Sequence, residues 1–350
     1  MNKEKPENIT KDSKQEEAKL ETLPAVEVRN EVVWVNDKVA MPFVFEEGKP
    51  SKLGVFLTPK PKEGEPTFSL GVMDEHFRSA NLGKVIFQDK ENPKLQYRDV
   101  DLKGVGGTTL DKEGGVEELR VEPLYSDTRK VVPYGKGIWG IMNPYPAEYD
   151  RDMSELFIKK GLRTHRALAI IKLKELIDPE GNKISLKTAT ERGYIKTSTK
   201  PVVEVRAFGV KSRINDVFRS NNKKEKVELL LKDAREMVAG ELGKSLEDFS
   251  VLDYIDWFAT TLGEQVAILH RNGYSHGFLT AHNITLDCRI VDLDSLESME
   301  GKDDKEKRKD ISRDLKFVKK TFGYFVSMLG FHKEIFNHIF TVSYNAKLKK

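Results

Sequence analysis

Cysteine is almost missing from this chain. Cys288 stands alone among 350 residues, which excludes an intramolecular disulfide and any metal site built on a cysteine cluster. The seven histidines form no H-E-x-x-H pattern, so a zinc-protease helix is excluded as well. No apolar run approaches the roughly 18 residues of a membrane span. The opening "MNKEKPENITKDSKQEEAKLETLP" has no apolar core of a signal peptide and reads as a solvated tail. A cytoplasmic protein without a membrane partner is the expectation. A surplus of one charge is lacking too: 59 basic residues against 56 acidic ones leave +3, so no nucleic-acid or other polyanion partner is expected.

What the chain does have is length and a change of pattern. Its 350 residues suffice for one large domain or two lobes. From about Val26, the runs "EVRNEVVWVND", "GVFLTP", "TFSLGVM", "GKVIFQD" and "QYRDVDLKG" alternate or are briefly apolar between Gly, Pro and Asn/Asp turns, which predicts strands. "GVGGTTLDKEGG" predicts a glycine-rich loop, and "VVPYGKGIWGIMNPYP" an irregular stretch. "AEYDRDMSELFIKKGL" predicts a helix, with Tyr149, Met153, Leu156 and Phe157 on one face and Gly161 at its stop. "RALAIIKLKELI" fits a strand or a helix, and "KPVVEVRAFGV" a strand. Beyond Val217 the helical period dominates, in "EKVELLLKDAREMVAGEL", "LDYIDWFATTLGEQVAILHRNG" and two closing helices, "ISRDLKFVKKTFGYFVSMLG" and "HKEIFNHIFTV". The charged "MEGKDDKEKRKD" fits an exposed turn or a helix start. Strands followed by helices predict an α+β fold. The expected division is a disordered polar tail over 1–25, a β-rich N-lobe with one acidic helix over 26–215, and a helical C-lobe over 216–350. Such a two-lobed, protein-kinase-like arrangement suits the motifs below.

In "YSHGFLTAHNITLDCRIVDLD", a His-Gly turn is followed by Asn283 and then, about ten residues on, by Asp292 at the end of a β-branched run. Mg²⁺ prefers oxygen ligands and usually takes one or two protein groups besides phosphates and water, a role open to Asn283 and Asp292. The alternative is that Asn283 caps a turn and Asp292 ends a strand. A protein kinase carries its base five residues before the magnesium Asn, and that position is Phe278, which cannot accept a proton. Lys103 ends a strand just before the glycine-rich loop, where an ammonium can meet phosphate oxygens; a solvated strand-end lysine is the alternative. Glu148, Asp150 and Glu155 are candidate partners for it, or else an exposed acidic face. Arg206 and Arg213 flank a short turn in "VRAFGVKSR" and suit bidentate phosphate binding or surface charge equally.

In order and spacing, these motifs resemble selenoprotein O, the bacterial YdiU family of kinase-like protein adenylyltransferases. "DLKGVGGT", "SELFIKKGLRTHRALAI", "VRAFGVKSR" and "HGFLTAHNITLDCRIVD" carry the resemblance, from about Lys103 to Asp294. The resemblance implies a two-lobed kinase fold that binds ATP in a flipped orientation and passes AMP to Ser, Thr or Tyr hydroxyls of protein substrates. By the same resemblance, Lys103, Arg206 and Arg213 contact the phosphates, Asn283 and Asp292 hold Mg²⁺, and Asp150 is the acidic helix partner. Gly83 and Lys84 echo an upstream nucleotide-contacting motif of the family, and Glu113 and Gly114 a later one. The family's base precedes the magnesium Asn, and here that residue is His282, an imidazole able to take a proton near neutral pH. About twenty-five residues are inserted between the glycine loop and the acidic helix, and the family's long helical C-terminus and terminal redox residue are absent. Two rivals stand beside AMP transfer: a phosphotransferase using the same cleft, and an inactive nucleotide-binding or scaffold pseudoenzyme.

Overall fold

Alternating runs become strands where neighbours supply the missing hydrogen bonds, and among the described residues the pairing is antiparallel wherever strands meet. The computed structural model describes residues 21–58, 60–72, 79–90, 95–107, 138–220 and 223–350. The first strands are β1 (Glu21–Glu27), β2 (Asn30–Val35), β3 (Val55–Leu57), β4 (Thr67–Val72), β5 (Ser79–Gln88) and β6 (Gln96–Lys103). Next come β7 (Val105–Gly107), β8 (Trp139–Ile141), α1 (Pro144–Lys159), β9 (Arg166–Leu173), β10 (Glu175–Ile177), β11 (Lys183–Ser185), α2 (Leu186–Glu191) and β12 (Val202–Phe208). An eight-stranded sheet runs in the order β2-β9-β12-β6-β5-β4-β1-β3.

Three expectations from the sequence are corrected and one open choice is decided. β1 begins at Glu21, inside the expected polar tail, because Leu23, Ala25 and Val26 pack into the sheet's core. The expected glycine-rich loop starts as strand: β7 pairs with β8, which lies in the stretch expected to be irregular. Gly104, at φ +93°, makes the turn from β6 into β7, and a Cβ there would press on Met142 and the Val202 carbonyl. "RALAIIKLKELI" is strand throughout its two described segments, β9 and β10, since nearly every residue is buried between neighbouring strands. The lobes also change over earlier than residue 215: Ala207 belongs to the sheet's core, whereas Val210 and Ile214 belong to the helical one.

The helical half consists of α3 (Ile214–Arg219), α4 (Lys224–Glu241), α5 (Val251–Arg271), α6 (Asp304–Met328) and α7 (Lys333–Leu348). Between α5 and α6 lie β13 (Tyr274–Ser275), a single 3-10 turn (Leu293–Ser295) and β14 (Glu297–Ser298). Ser250 caps α5 and Asp303 caps α6, each in a reciprocal capping box. The charged run before Asp310 is therefore a helix start. Tyr254, Phe258, Leu262 and Val266 on α5 bury one face against Phe322, Phe325 and Val326 of α6 and Phe340 and Tyr344 of α7. Phe157 and Leu162, at the end of α1, join this core, so the helix that follows β8 is seated on the helical lobe. Among the described residues, no helix is long and apolar enough to cross a membrane.

Candidate active site

Side chains of a strand alternate between faces, and in the central strands β6 and β12 that alternation separates a core from a polar surface. Val100, Leu102, Val203, Val205 and Ala207 point into the apolar core. The opposite face carries Asp99, Asp101 and Lys103 of β6 beside Phe208, Arg206 and Glu204 of β12, in register Asp99–Phe208, Asp101–Arg206 and Lys103–Glu204. All six are buried, so the charges of Asp101, Lys103 and Arg206 need partners within the protein.

The pairing converges on the loop after β13. Lys103 Nζ lies 3.4 Å from Asp150 Oδ2 on α1, 3.2 Å from Asp292 Oδ1 and 3.3 Å from Asp294 Oδ1. Arg206 holds Asp101 with two parallel bonds, Nε to Oδ1 at 3.0 Å and a terminal nitrogen to Oδ2 at 2.9 Å. Its other terminal nitrogen donates to Asp292 Oδ1 at 2.9 Å. Arg213 donates to Asp292 Oδ2 at 3.2 Å and to the carbonyl of His282. Lys211 Nζ is 3.2 Å from Asp101 Oδ2. Four cations thus face four carboxylates, and Asp292 alone receives three of the cations. Asp292 has φ 58° and ψ 55°, a left-handed conformation uncommon outside glycine that marks a turn fixed by its surroundings.

Burial and partners oppose one another in the electrostatics. Burial pulls the Lys103 ammonium down, but Asp150, Asp294 and Asp292 outweigh it and hold the group above its ordinary value. Burial pushes the Asp101 carboxyl up, yet Arg206 and Lys211 bring it well below the usual carboxylate range. Asp150 behaves likewise: burial raises it, and His165, Lys103 and Arg206 hold it low. Glu204 goes the other way. Burial, and then the Asp150 charge, lift it well above its ordinary value, and the nearby cations do not compensate.

The structure therefore brings Lys103, Asp150, Arg206, Arg213 and Asp292 to one place between the sheet and the helical lobe. Asn283 adjoins them: its carbonyl accepts the Val291 N–H at 3.1 Å, and its Nδ2 donates to the Phe278 carbonyl at 2.9 Å. His282 reaches the cluster through its carbonyl. Phe278, at the position of a kinase base, is 56% exposed. Of the other acids on α1, Glu148 faces solvent and Glu155 binds Arg166, Lys38 and Asn36 instead. Gly83 and Lys84 are not part of the cluster. They lie opposite Val100 and Asp99, back along β5, and Lys84 Nζ is drawn to Asp233 of α4 at 3.1 Å. Glu113 and Gly114 lie outside the described residues.

Several participants escaped the sequence reading. Asp101 and Glu204 were signalled by the same alternation that marks Lys103 and Arg206. Asp294 follows Asp292 by two residues and needed the tight turn to be recognised. Asp314 on α6 gave no local signal. Its carboxylate accepts the backbone N–H groups of His276 at 2.7 Å and Gly277 at 2.8 Å, and lies 3.2 Å from His270 Nε2. His276 Nε2 is 3.0 Å from the Val291 carbonyl, so a chain of hydrogen bonds runs from α6 to the residue before Asp292.

The cluster thus combines a strand lysine paired with an acid on a helix and a loop that carries an Asn and an Asp. The fold is a two-lobed α+β architecture, a β-rich sheet lobe followed by a helical one. No protein-family model matches the chain, and no curated protein does. Among solved structures, the chain is similar to the Toxoplasma gondii specific rhoptry antigen kinase domain, at 11% identity and a TM-score of 0.30, covering 77% of this chain and 69% of that one. It is also similar to ROP2 from Toxoplasma gondii, described as a virulence factor with a protein-kinase fold and no enzymatic activity, at 9% identity and a TM-score of 0.30, covering 77% of this chain and 66% of that one.

Proposed function

We propose that this protein binds ATP with Mg²⁺ between its lobes and transfers AMP to a hydroxyl of a protein substrate. The observation that carries the reading is the convergence of Lys103, Arg206 and Arg213 on the Asp292 carboxylate. A triphosphate is the ligand whose charge would repay drawing three cations into one buried place, and stabilising charge is most of what nucleotide transfer asks of a protein. The carboxylates of Asp150, Asp292 and Asp294 each present an oxygen within 4.8 Å of the others. That all-oxygen set fits a hard cation. In this reading Asp292 and the Oδ1 of Asn283 hold Mg²⁺, which supplies neutralisation of phosphate oxygens when bound. Lys103 and the two arginines bind the phosphates, with Asp150 orienting Lys103. The substrate oxygen forms a bond to the α-phosphorus as the bond from that phosphorus to the bridging oxygen breaks. Pyrophosphate leaves, and the His282 imidazole takes the hydroxyl proton.

A second reading has its own support. The cations are already matched one for one by Asp101, Asp150, Asp292 and Asp294, and Phe278 stands where a kinase has its base. That balance suits a pseudoenzyme whose site serves as scaffold. Incubation with α-labelled and γ-labelled ATP separates the readings. Label on protein from the α-position alone supports AMP transfer, and label from the γ-position alone supports a phosphotransferase. Label from neither supports the pseudoenzyme.

A further inference from the structure

Beside Lys103, three buried side chains from separate parts of the chain meet: Asp150 of α1, His165 just before β9, and Glu204 of β12. Each is fully buried, and each offers one ligand atom within 4.8 Å of the other two. His165 Nε2 lies 3.2 Å from Asp150 Oδ2, and its Nδ1 lies 3.3 Å from the Thr164 hydroxyl, which orients the ring. Glu204 is the anomaly. It sits across the strand pair from Lys103, yet neither of its carboxylate oxygens has a hydrogen-bond partner. A fully buried carboxyl without a partner costs stability unless something else engages it.

We propose that Asp150, His165 and Glu204 form a binding site for a first-row divalent cation, with Zn²⁺ the best match. One imidazole nitrogen and two carboxylate oxygens are a donor set that zinc accepts readily, whereas Mg²⁺ favours oxygen alone. Glu204 brings a carboxylate that no cation pairs, Asp150 shares its charge with Lys103 and Arg206, and three protein ligands leave a fourth position open. The Thr164 contact plays the part that outer hydrogen bonds play for metal-bound histidines. This site shares Asp150 with the cluster around Asp292 but requires neither Asp292 nor Asn283, so it stands whether or not the chain binds ATP. It is also linked to that cluster, because Lys103 at 3.4 Å and Arg206 at 3.5 Å approach the same Asp150 oxygen.

The test uses the full chain, stripped of metal and titrated with Zn²⁺ alone. Calorimetry and metal analysis after dialysis should show one tightly held Zn²⁺ per chain, weakened at least about tenfold by Glu204→Gln and by His165→Gln and retained in Asp292→Asn. X-ray absorption of the zinc-loaded wild-type chain should show one imidazole among oxygen ligands, and this measurement decides the matter if a variant fails to fold. The proposal is overturned if the wild-type chain holds no Zn²⁺ at micromolar concentration, if Glu204→Gln holds it equally well, or if the spectrum shows no single imidazole.

Discussion

Replacing Asp314 with alanine removes an acceptor on which three donors depend: the N–H groups of His276 and Gly277, at 2.7 and 2.8 Å, and His270 at 3.2 Å. Asp314, His276 and Gly277 are buried, so the donors lose their acceptor away from bulk water. A buried donor left without a partner costs about 1–3 kcal/mol, with bonds to a charged acceptor toward the upper end. Summed over the donors and reduced for relaxation, Asp314→Ala should lose about 3–5 kcal/mol. The pH dependence follows from the carboxyl's own shift. Burial raises it, but His270 and the N–H groups of His276 and Gly277 hold it below its ordinary 3.8. A depressed carboxyl contributes stability that is fully present above the unfolded value and is lost as pH falls through the folded one. The part of the gap between wild type and Asp314→Ala that comes from the carboxyl's own shift should therefore be fully present above 3.8 and be lost as pH falls below it. Urea unfolding followed by tryptophan fluorescence measures it. A loss under about 1 kcal/mol at neutral pH would refute the idea that this carboxylate holds the loop leading to Asp292.

Other perturbations probe the core, the crossing between lobes and the arginine fork. Phe258 is fully buried and stacks on Phe322 at 5.6 Å, so Phe258→Ala should cost about 3–5 kcal/mol in the same unfolding assay; a cost near zero would mean that the helical core repacks freely. Gly209 lies where the chain leaves the sheet, and a Cβ there runs into the Asp287 carboxylate that Arg289 holds at 2.7 Å. Gly209→Ala should lose about 2–4 kcal/mol, and unchanged stability would contradict that packing. Arg206→Lys keeps the charge but loses the two-pronged grip on Asp101. ATP affinity measured by calorimetry should fall about tenfold, and an unchanged value would count against a fork-shaped role.

Where a local rule governs a residue, the sequence could be read. Alternation in "QYRDVDLK" and "VVEVRAF" places Lys103 and Arg206 on one polar face, and followed further it would also have delivered Asp101 and Glu204. The apolar faces of α5, α6 and α7 were legible because a helix seated on a core must repeat every 3.6 residues. "RALAIIKLKELI" was ambiguous because a run buried on both faces has no period to report. β8 hid in a stretch rich in glycine and proline because its pairing with β7 is a tertiary event. Lys84 entered only through its echo of a family motif, and α4 brings Asp233 to it across the lobes, which nothing near Lys84 in sequence announces. Asp314 is likewise invisible locally, since the loop it holds lies on a different element.

In the proposed function, Lys103, Arg206, Arg213 and Asp292 together make a site for ATP and Mg²⁺. The most direct measurement is thermal unfolding of the wild-type chain with ATP, with and without Mg²⁺, beside Lys103→Met and Asp292→Asn. A ligand at about a hundredfold excess over its dissociation constant adds about 2.7 kcal/mol of stability. The wild-type chain should therefore melt measurably higher with ATP and Mg²⁺. The Lys103→Met chain should show no shift, and the Asp292→Asn chain no dependence on Mg²⁺. A wild-type chain whose melting temperature ignores millimolar ATP, with or without the metal, would contradict the account.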